Sequence, residues 1–324
     1  MTVKPVFTAA TPVTQAPEPS AFLDDVVHGF SQAQKTLPAK YFYDAAGSDL
    51  FEAITRLPEY YPTRTEMRIL EASGSEIAAA LPRGAALVEF GSGSTAKVRR
   101  LLPHLADLAA YVPVDVSESF LHDQAAALRQ DFPDLRVEPV AADFTRPFSL
   151  PADLDGVPRA GFFPGSTIGN FEPAEAARLL RQFGAVLGEG AMLIVGVDLV
   201  KARSVLEAAY DDAAGITGAF NRNVLRRINR ELAGRFDPDA FAHRAVFNAQ
   251  DSRIEMHLVS RSAQSVAVAD RRFDFAAGES IHTENSYKYT VESFRALAAE
   301  AGWTAGTVWT DPEALFSVHA LRQG

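Results

Sequence analysis

The residues best suited to chemistry begin with Glu89-Phe90-Gly91-Ser92-Gly93, which stands directly after an apolar run and directly before a helical pattern. Gly91 and Gly93 lack side chains and let a ligand approach the backbone, while the helix start that follows offers free N–H groups. A plain tight turn would use the same glycines. Asp115 closes the next apolar run, where a carboxylate can accept both hydroxyls of a ribose. Asp143, with Phe144 beside it, closes the third run and offers an adenine an acceptor and an apolar ring. Each of these acids taken singly could instead cap the helix after it. Gly91-x-Gly93-x-x-Ala96 followed by Asp115 also meets the relaxed dinucleotide pattern, so an NAD-dependent oxidoreductase is a rival reading. Against it stand the lack of a second half for a nicotinamide and the antiparallel look of the C-terminus. Farther on, Pro164-Gly165-Ser166-Thr167-Ile168-Gly169-Asn170 is a polar, glycine-rich loop after a fourth run. Open α/β sheets bind ligands at that edge, so Asn170 is either a substrate contact or a turn former.

The elements that must hold these residues alternate between short apolar runs and helical patterns, the signature of βαβ units and a parallel sheet. Strands are expected at Leu87 to Phe90, Tyr111 to Val116, Leu135 to Val140, Ala160 to Phe163 and Ala191 to Asp198. Helices are expected in TAKVRRLLPHL, SESFLHDQAAALRQDF and PAEAARLLRQFGAVLGEG, the last opening at Pro173 and closing at Gly188. Thr63-x-x-Glu66 reads as a capping box that starts a helix ahead of the first strand. After Asp198 the pattern changes to two helices and the hairpin-like runs HRAVFNA and SRIEMHLVSRS, as in an inserted module. A helix, VESFRALAAEAG, and two strands, TAGTVWTD and FSVHALR, then complete the sheet as an antiparallel pair.

Of 324 residues, 47% are hydrophobic and 22% charged, ordinary globular values that exclude wholesale disorder and fibrous classes. At roughly 150 residues per domain this length suits two domains or one elaborated domain. Lys and Arg number 31 against 41 Asp and Glu, a net charge of -10 that disfavours nucleic acid and favours a small-molecule partner. With no cysteine, thiol nucleophiles, disulfides and zinc thiolate sites are excluded. Residues 1–20 lack the apolar stretch of a signal peptide and read as a mobile tail. The strongest apolar run, Ala191 to Val197, is strand-sized and far short of the about 18 residues of a membrane span. A cytoplasmic, monomeric protein that touches no membrane is expected. The seven histidines are scattered with no ligand spacing, so no metal is expected.

Several longer strings carry a family resemblance. Tyr41-Phe42-Tyr43-Asp44 followed by Gly47-Ser48-Asp49-Leu50-Phe51, Leu57-Pro58-Glu59-Tyr60-Tyr61-Pro62-Thr63-Arg64, Gly165 to Asn170, Tyr210 to Gly215 and Phe220 to Leu225 together resemble the S-adenosylmethionine-dependent L-histidine Nα-methyltransferases of ergothioneine biosynthesis. The resemblance runs from about Leu37 to the C-terminus. It implies an α/β fold: a class I methyltransferase, Rossmann-like sheet, with a second α+β domain built from the N-terminal segment and an insertion after the fifth strand. The implied boundaries are 21–62 with 198–286 for substrate binding, and 63–197 with 287–324 for S-adenosylmethionine binding. By resemblance, Gly91 and Lys97 hold the methionine part of the cofactor, Asp115 its ribose, and Asp143 with Phe144 its adenine. A cation at Lys97 makes sense for a carboxylate; a solvated helix lysine is the bland alternative. The family pattern maps the substrate histidine onto Tyr60, Asn170, Tyr210, Met256, Glu284 and Ser286. Asn170 and Tyr210 look like anchors for the amino-acid head group, and Tyr60, Glu284 and Ser286 like the imidazole pocket. The sequence departs from the family around that pocket at Asn285, Tyr287 and Tyr289, and at His257, where a tryptophan can occur.

The implied reaction is displacement by the neutral α-amine of histidine on the sulfonium methyl, repeated three times to give hercynine. Alignment and water exclusion are the protein's main tasks. Tyr43, or a water held by Asn170, is the candidate for assisting proton loss, and the rings of Tyr43 and Phe51 for cation–π contact with the growing ammonium. An N-methyltransferase for another free amino acid and a non-catalytic ligand-binding protein complete the alternatives.

Overall fold

In the computed structural model, which describes residues 19–324, apolar runs pair into a seven-stranded sheet, while segments before and after its parallel part build a separate four-stranded sheet. In chain order the elements are α1 (Pro19–Phe30), β1 (Lys35–Thr36), α2 (Ala45–Ile54), α3 (Tyr61–Ala72), α4 (Gly74–Ala80), β2 (Ala86–Phe90), α5 (Val98–Leu101), β3 (Ala110–Asp115), α6 (Glu118–Asp131), β4 (Val140–Ala141) and β5 (Arg159–Phe163). There follow α7 (Pro173–Leu187), β6 (Met192–Asp198), α8 (Arg203–Tyr210), α9 (Ile216–Glu231), β7 (Phe241–Asn248), β8 (Arg253–Ser260), β9 (Gln264–Val268), β10 (Arg271–Phe275), β11 (Ser280–Tyr287), α10 (Val291–Glu300), β12 (Trp303–Thr310) and β13 (Phe316–Gln323).

The main sheet has the order β12-β13-β6-β5-β2-β3-β4. The five strands β6, β5, β2, β3 and β4 are parallel, and β12 and β13 join as the expected antiparallel pair. From β2 the chain winds outward through β3 and β4, then returns to β5 on the other side. That reversal makes the carboxyl ends of β2 and β5 a switch point, where a crevice opens. Both faces are covered. Val88, Val112, Phe163 and Phe183 pack on one side, and Leu87, Tyr111, Phe162 and Ile194 on the other. Burial on both faces is why these strands read as unbroken apolar runs.

A third core joins Phe22, Tyr41 and Phe42 to Phe220, Val224, Met256 and Ile281. Its frame is the four-stranded sheet β1-β11-β8-β7, in which β11 and β7 run antiparallel to β8.

Several sequence expectations shift. Of the tail assigned to residues 1–20, Pro19 and Ser20 open α1, and residues 1–18 lie outside the described residues. The helix placed at Thr63 starts two residues earlier, at Tyr61 with Pro62 in its first turn, and Thr63 caps nothing. Glu66 is not its capping partner: fully buried, its carboxylate accepts the Gly165 N–H at 2.9 Å and pairs with Lys97 Nζ at 2.7 Å. The run Leu135 to Val140 yields only β4, with one further bridge at Val137, because it lies at the sheet's outer edge. TAKVRRLLPHL shortens to α5 and a 3-10 turn at Leu102–His104, interrupted by Pro103. Among the described residues, no helix is long and apolar enough to cross a membrane.

Candidate active site

Tyr43, Phe51, Ile54, Tyr60, Tyr210, Thr217, Phe220, Met256 and Glu284 line a small cavity that is open on one side. Six of these, Tyr43, Phe51, Tyr60, Tyr210, Met256 and Glu284, are residues the sequence put forward. Aromatic edges meet around it: Tyr43 against Phe51 and Phe220 at 5.6 Å, and Tyr60 against Tyr210 at 6.1 Å. Tyr43 is 44% exposed and forms the rim, while Tyr60 and Tyr210 are buried in the wall.

Glu284 reaches the cavity because of an irregularity in β11. Opposite β8, His282 pairs with His257, but the next pair is Glu284 with Met256, so Thr283 is an extra residue. Successive strand residues face opposite sides, and regular alternation would place Glu284 on the side of His282. The bulge turns it onto the side of Met256 instead. Thr283 pins the bulge: its buried hydroxyl donates to Asn221 Oδ1 on α9 at 2.8 Å and to the Met256 carbonyl at 3.0 Å, two alternatives for one proton. Glu284 Oε2 is buried without a hydrogen-bond partner, and burial pushes the carboxyl up to about 7, against an opposing pull from Lys288. Such a group calls for a ligand donor.

Ser286, two residues on, is not a lining residue. Its Oγ lies 2.8 Å from Tyr210 Oη, and Lys288 Nζ lies within 2.9 Å of both. Below them Asp198, at the end of β6, binds Lys288 Nζ at 2.8 Å, Lys201 Nζ at 2.5 Å and Tyr61 Oη at 2.8 Å. Burial opposes ionisation of Asp198, but the two ammonium groups outweigh it and hold its pKa below the usual value. Lys201 is brought down to about 8, burial outweighing Asp198. Residue type alone gave no sign of this network; two lysines and an aspartate closing or flanking apolar strands were its only trace.

Asn170 ends a 3-10 turn, Thr167–Asn170, that packs on β11, and it is not among the lining residues. The turn begins at Ser166, held at φ 56, whose hydroxyl accepts the Asp198 N–H at 2.9 Å. That bond joins the loop after β5 to the charged network.

The other candidates gather at the strand ends of the main sheet. Gly91 has φ 77, and a Cβ there would stand 3.1 Å from the Phe144 ring, so the two residues adjoin and only glycine fits without strain. Asp115 closes β3, accepts the Ser117 N–H at 3.0 Å, and is raised in pKa by burial. Asp143 accepts from the Thr145 amide and hydroxyl at 2.9 and 2.6 Å, as in a turn cap. Lys97 points inward to Glu66, not to solvent. Glu89, also buried, is pushed up to about 7 and hydrogen-bonded by Tyr111. A wider concavity, near Pro82, Pro158 and Gly190, lies at the amino ends of the strands, opposite the edge where such sheets bind ligands.

The fold also brings together a trio that the histidine spacing does not reveal. Ligand atoms of Glu255, His257 and His282 lie within 4.8 Å of one another, on the sheet face away from the cavity. Glu255 already serves Arg253, Asn248 and His257, and the two imidazoles stack at 4.7 Å, while His257 Nδ1 is buried with no hydrogen-bond partner among the described residues.

A family profile described as "Histidine-specific methyltransferase, SAM-dependent" matches residues 22–323. The histidine N-alpha-methyltransferase of Mycolicibacterium smegmatis is 47% identical over 303 residues, 91% of this chain and 92% of that one. Ergothioneine biosynthesis protein 1 of Neurospora crassa is 28% identical over 296 residues, 85% of this chain but 32% of the fungal protein. Among solved structures, an S-adenosylmethionine-dependent methyltransferase from Clostridium acetobutylicum aligns with 12% identity and a TM-score of 0.45, covering 80% of this chain and 92% of its own.

Proposed function

The chain belongs to the family of histidine-specific, S-adenosylmethionine-dependent methyltransferases, and on that premise we propose that it transfers three methyl groups in succession to the α-amine of L-histidine. The product is Nα,Nα,Nα-trimethyl-L-histidine (hercynine), made as the first step of ergothioneine biosynthesis. The observation that carries this reading is the cavity in which a carboxyl with an unpartnered oxygen, Glu284, faces the aromatic walls of Tyr60 and Tyr210.

S-adenosylmethionine supplies an activated methyl group. The crevice at the ends of β2, β3 and β4 suits it: Gly91 leaves open backbone beside the Phe144 ring, and Asp115 keeps a carboxylate at a strand tip. Gly91 and Lys97 take the methionine end, Asp115 the ribose, Asp143 and Phe144 the adenine. In the cavity, Glu284 accepts an imidazole N–H and Ser286 with Tyr210 supplies a donor, while Asn170 and Tyr210 orient the amino-acid head group. Tyr60 and Met256 close the walls. Holding both reactants aligned can account for roughly 7 to 11 kcal/mol of barrier lowering.

At each transfer the amine nitrogen forms a bond to carbon as the carbon–sulfur bond breaks. One proton must leave the nitrogen before each of the three transfers and none after the last. Tyr43, at the rim, is placed to pass that proton to solvent, and its ring faces the growing cation. Separate cores support residues 21–62 with 198–286 as the substrate-binding domain and 63–197 with 287–324 as the cofactor-binding one.

Incubation with S-adenosylmethionine and histidine, followed by product mass, tests the proposal. Three added methyl groups support it. A panel of other free amino acids methylated in preference to histidine would overturn it.

A further inference from the structure

Lys288 is fully buried and spends all three of its ammonium N–H donors inside the protein, on Asp198 Oδ2 at 2.8 Å, Tyr210 Oη at 2.9 Å and Ser286 Oγ at 2.8 Å. Its Nζ also lies 4.7 Å from the centre of the Tyr210 ring. An ammonium cannot accept a hydrogen bond, so each hydroxyl oxygen it touches is used as an acceptor. The two hydroxyls have two protons between them. One closes the 2.8 Å contact between Tyr210 and Ser286. The other has no acceptor among the described residues, and Tyr210 is the member of the pair that lines the cavity.

We propose that Lys288 is a positioning residue that fixes the polarity of the substrate pocket, obliging the Tyr210–Ser286 pair to donate its remaining proton to the bound amino acid. The inference rests on the cavity being the histidine site. Opposite this donor end stands Glu284, the acceptor end, so the pocket takes a ring or head group that presents an acceptor to one side and an N–H to the other. The assignment adds a cation that neither touches substrate nor lines the cavity.

Electrostatics act in the same direction. Lys288 and Lys201 share the single carboxylate of Asp198, which leaves one net positive charge behind Tyr210. The other titratable groups around the cavity are Glu284 on β11, Tyr60 and Tyr61 at the start of α3, Tyr43 before α2, and His243 on β7, whose Nε2 contacts the Tyr210 carbonyl at 2.8 Å. Of these, Glu284 is the group that titrates near neutrality and feels Lys288 through space.

The test compares the whole wild-type chain with Lys288→Met, which keeps an unbranched side chain one atom shorter and removes its charge and donors. Calorimetry with histidine and with S-adenosylhomocysteine is run from pH 5.5 to 8.5. Histidine affinity should fall about 10- to 100-fold, the cost of a lost charge-assisted hydrogen bond, with S-adenosylhomocysteine affinity within about twofold. The pH at which Glu284 limits histidine binding should move upward, since the cation that lowers its pKa is gone, and Lys288→Arg should return part of the loss. Tyr210→Phe and Ser286→Ala leave the lysine in place and answer the question even if Lys288→Met does not fold. Tyr210 is the cavity-lining member, so Tyr210→Phe should cost histidine affinity about 10- to 100-fold, whereas Ser286→Ala leaves Tyr210 accepting from Lys288 and donating to the ligand and should cost less than about threefold. Equal losses in the two single variants, or a Lys288→Met protein with unchanged histidine affinity and pH limb, overturn the assignment. Wild-type protein that does not bind histidine would instead overturn the substrate reading.

Discussion

Gly91, Asp115 and Asp143 reach the proposed cofactor crevice from strand ends, and the two acids hydrogen-bond the turns just after them. The proposed substrate cavity is built on another scale: Tyr43, Tyr60, Tyr210, Met256 and Glu284 arrive from widely separated segments, and their supports are Lys288, just after β11, and Asp198, at the end of β6. A crevice made of strand tips is positioned by backbone pairing and survives side-chain change nearby. A cavity made of converging side chains depends on each partner, because Lys288 alone ties together Asp198, Tyr210 and Ser286.

The comparison is broken most severely at Glu284. Glu284→Ala should lower histidine affinity 100-fold or more, with S-adenosylhomocysteine affinity unchanged, because the site then leaves an imidazole N–H unpaired. Calorimetry with each ligand separates the two regions, and equal losses would show that they are not independent. Asp115→Ala is the mirror experiment: about 10- to 100-fold weaker S-adenosylhomocysteine binding, with the histidine isotherm preserved.

A third prediction asks what the cavity costs the fold. Glu284 is raised from 4.5 to about 7, so between those pH values the folded protein holds a proton that the unfolded chain has released. Stability on this account falls as pH rises through the window. Glu284→Gln removes the group, and relative to wild type it should gain about 1 to 3 kcal/mol at pH 8 and almost nothing at pH 4. Glu89, raised to about 7 on the sheet side, is present in both proteins and cancels. Thermal or urea unfolding at the two pH values checks it, and a gain of the same size at both would contradict it. The smallest effect is expected at the exposed rim, where Tyr43→Phe should slow methyl transfer about three- to tenfold in single-turnover assays without changing histidine affinity. No change in any of the three transfers would remove Tyr43 from the proton path.

The sequence located the parallel sheet through its unbroken apolar runs, and the closing antiparallel pair through its two late strands. It misplaced the start of α3, because Thr63 and Glu66 satisfy the capping pattern while Glu66 is drawn instead to Gly165, 99 residues along the chain, and to Lys97. Residue types alone made Glu284 and Ser286 ordinary polar positions; it was resemblance to a family that marked them. Lys288 carried no mark at all.

By itself, then, the sequence determined the order of strands and helices, the glycine turn after β2 and the acids at the strand tips, since these follow from periodicity and from local backbone freedom. Only the tertiary structure decided that Glu284 faces the cavity and not the outer side. That choice turns on one extra residue in β11, locked by Thr283 to Asn221 on a distant helix. Strand periodicity is local and alternates by rule, whereas a bulge is set by what packs across from it.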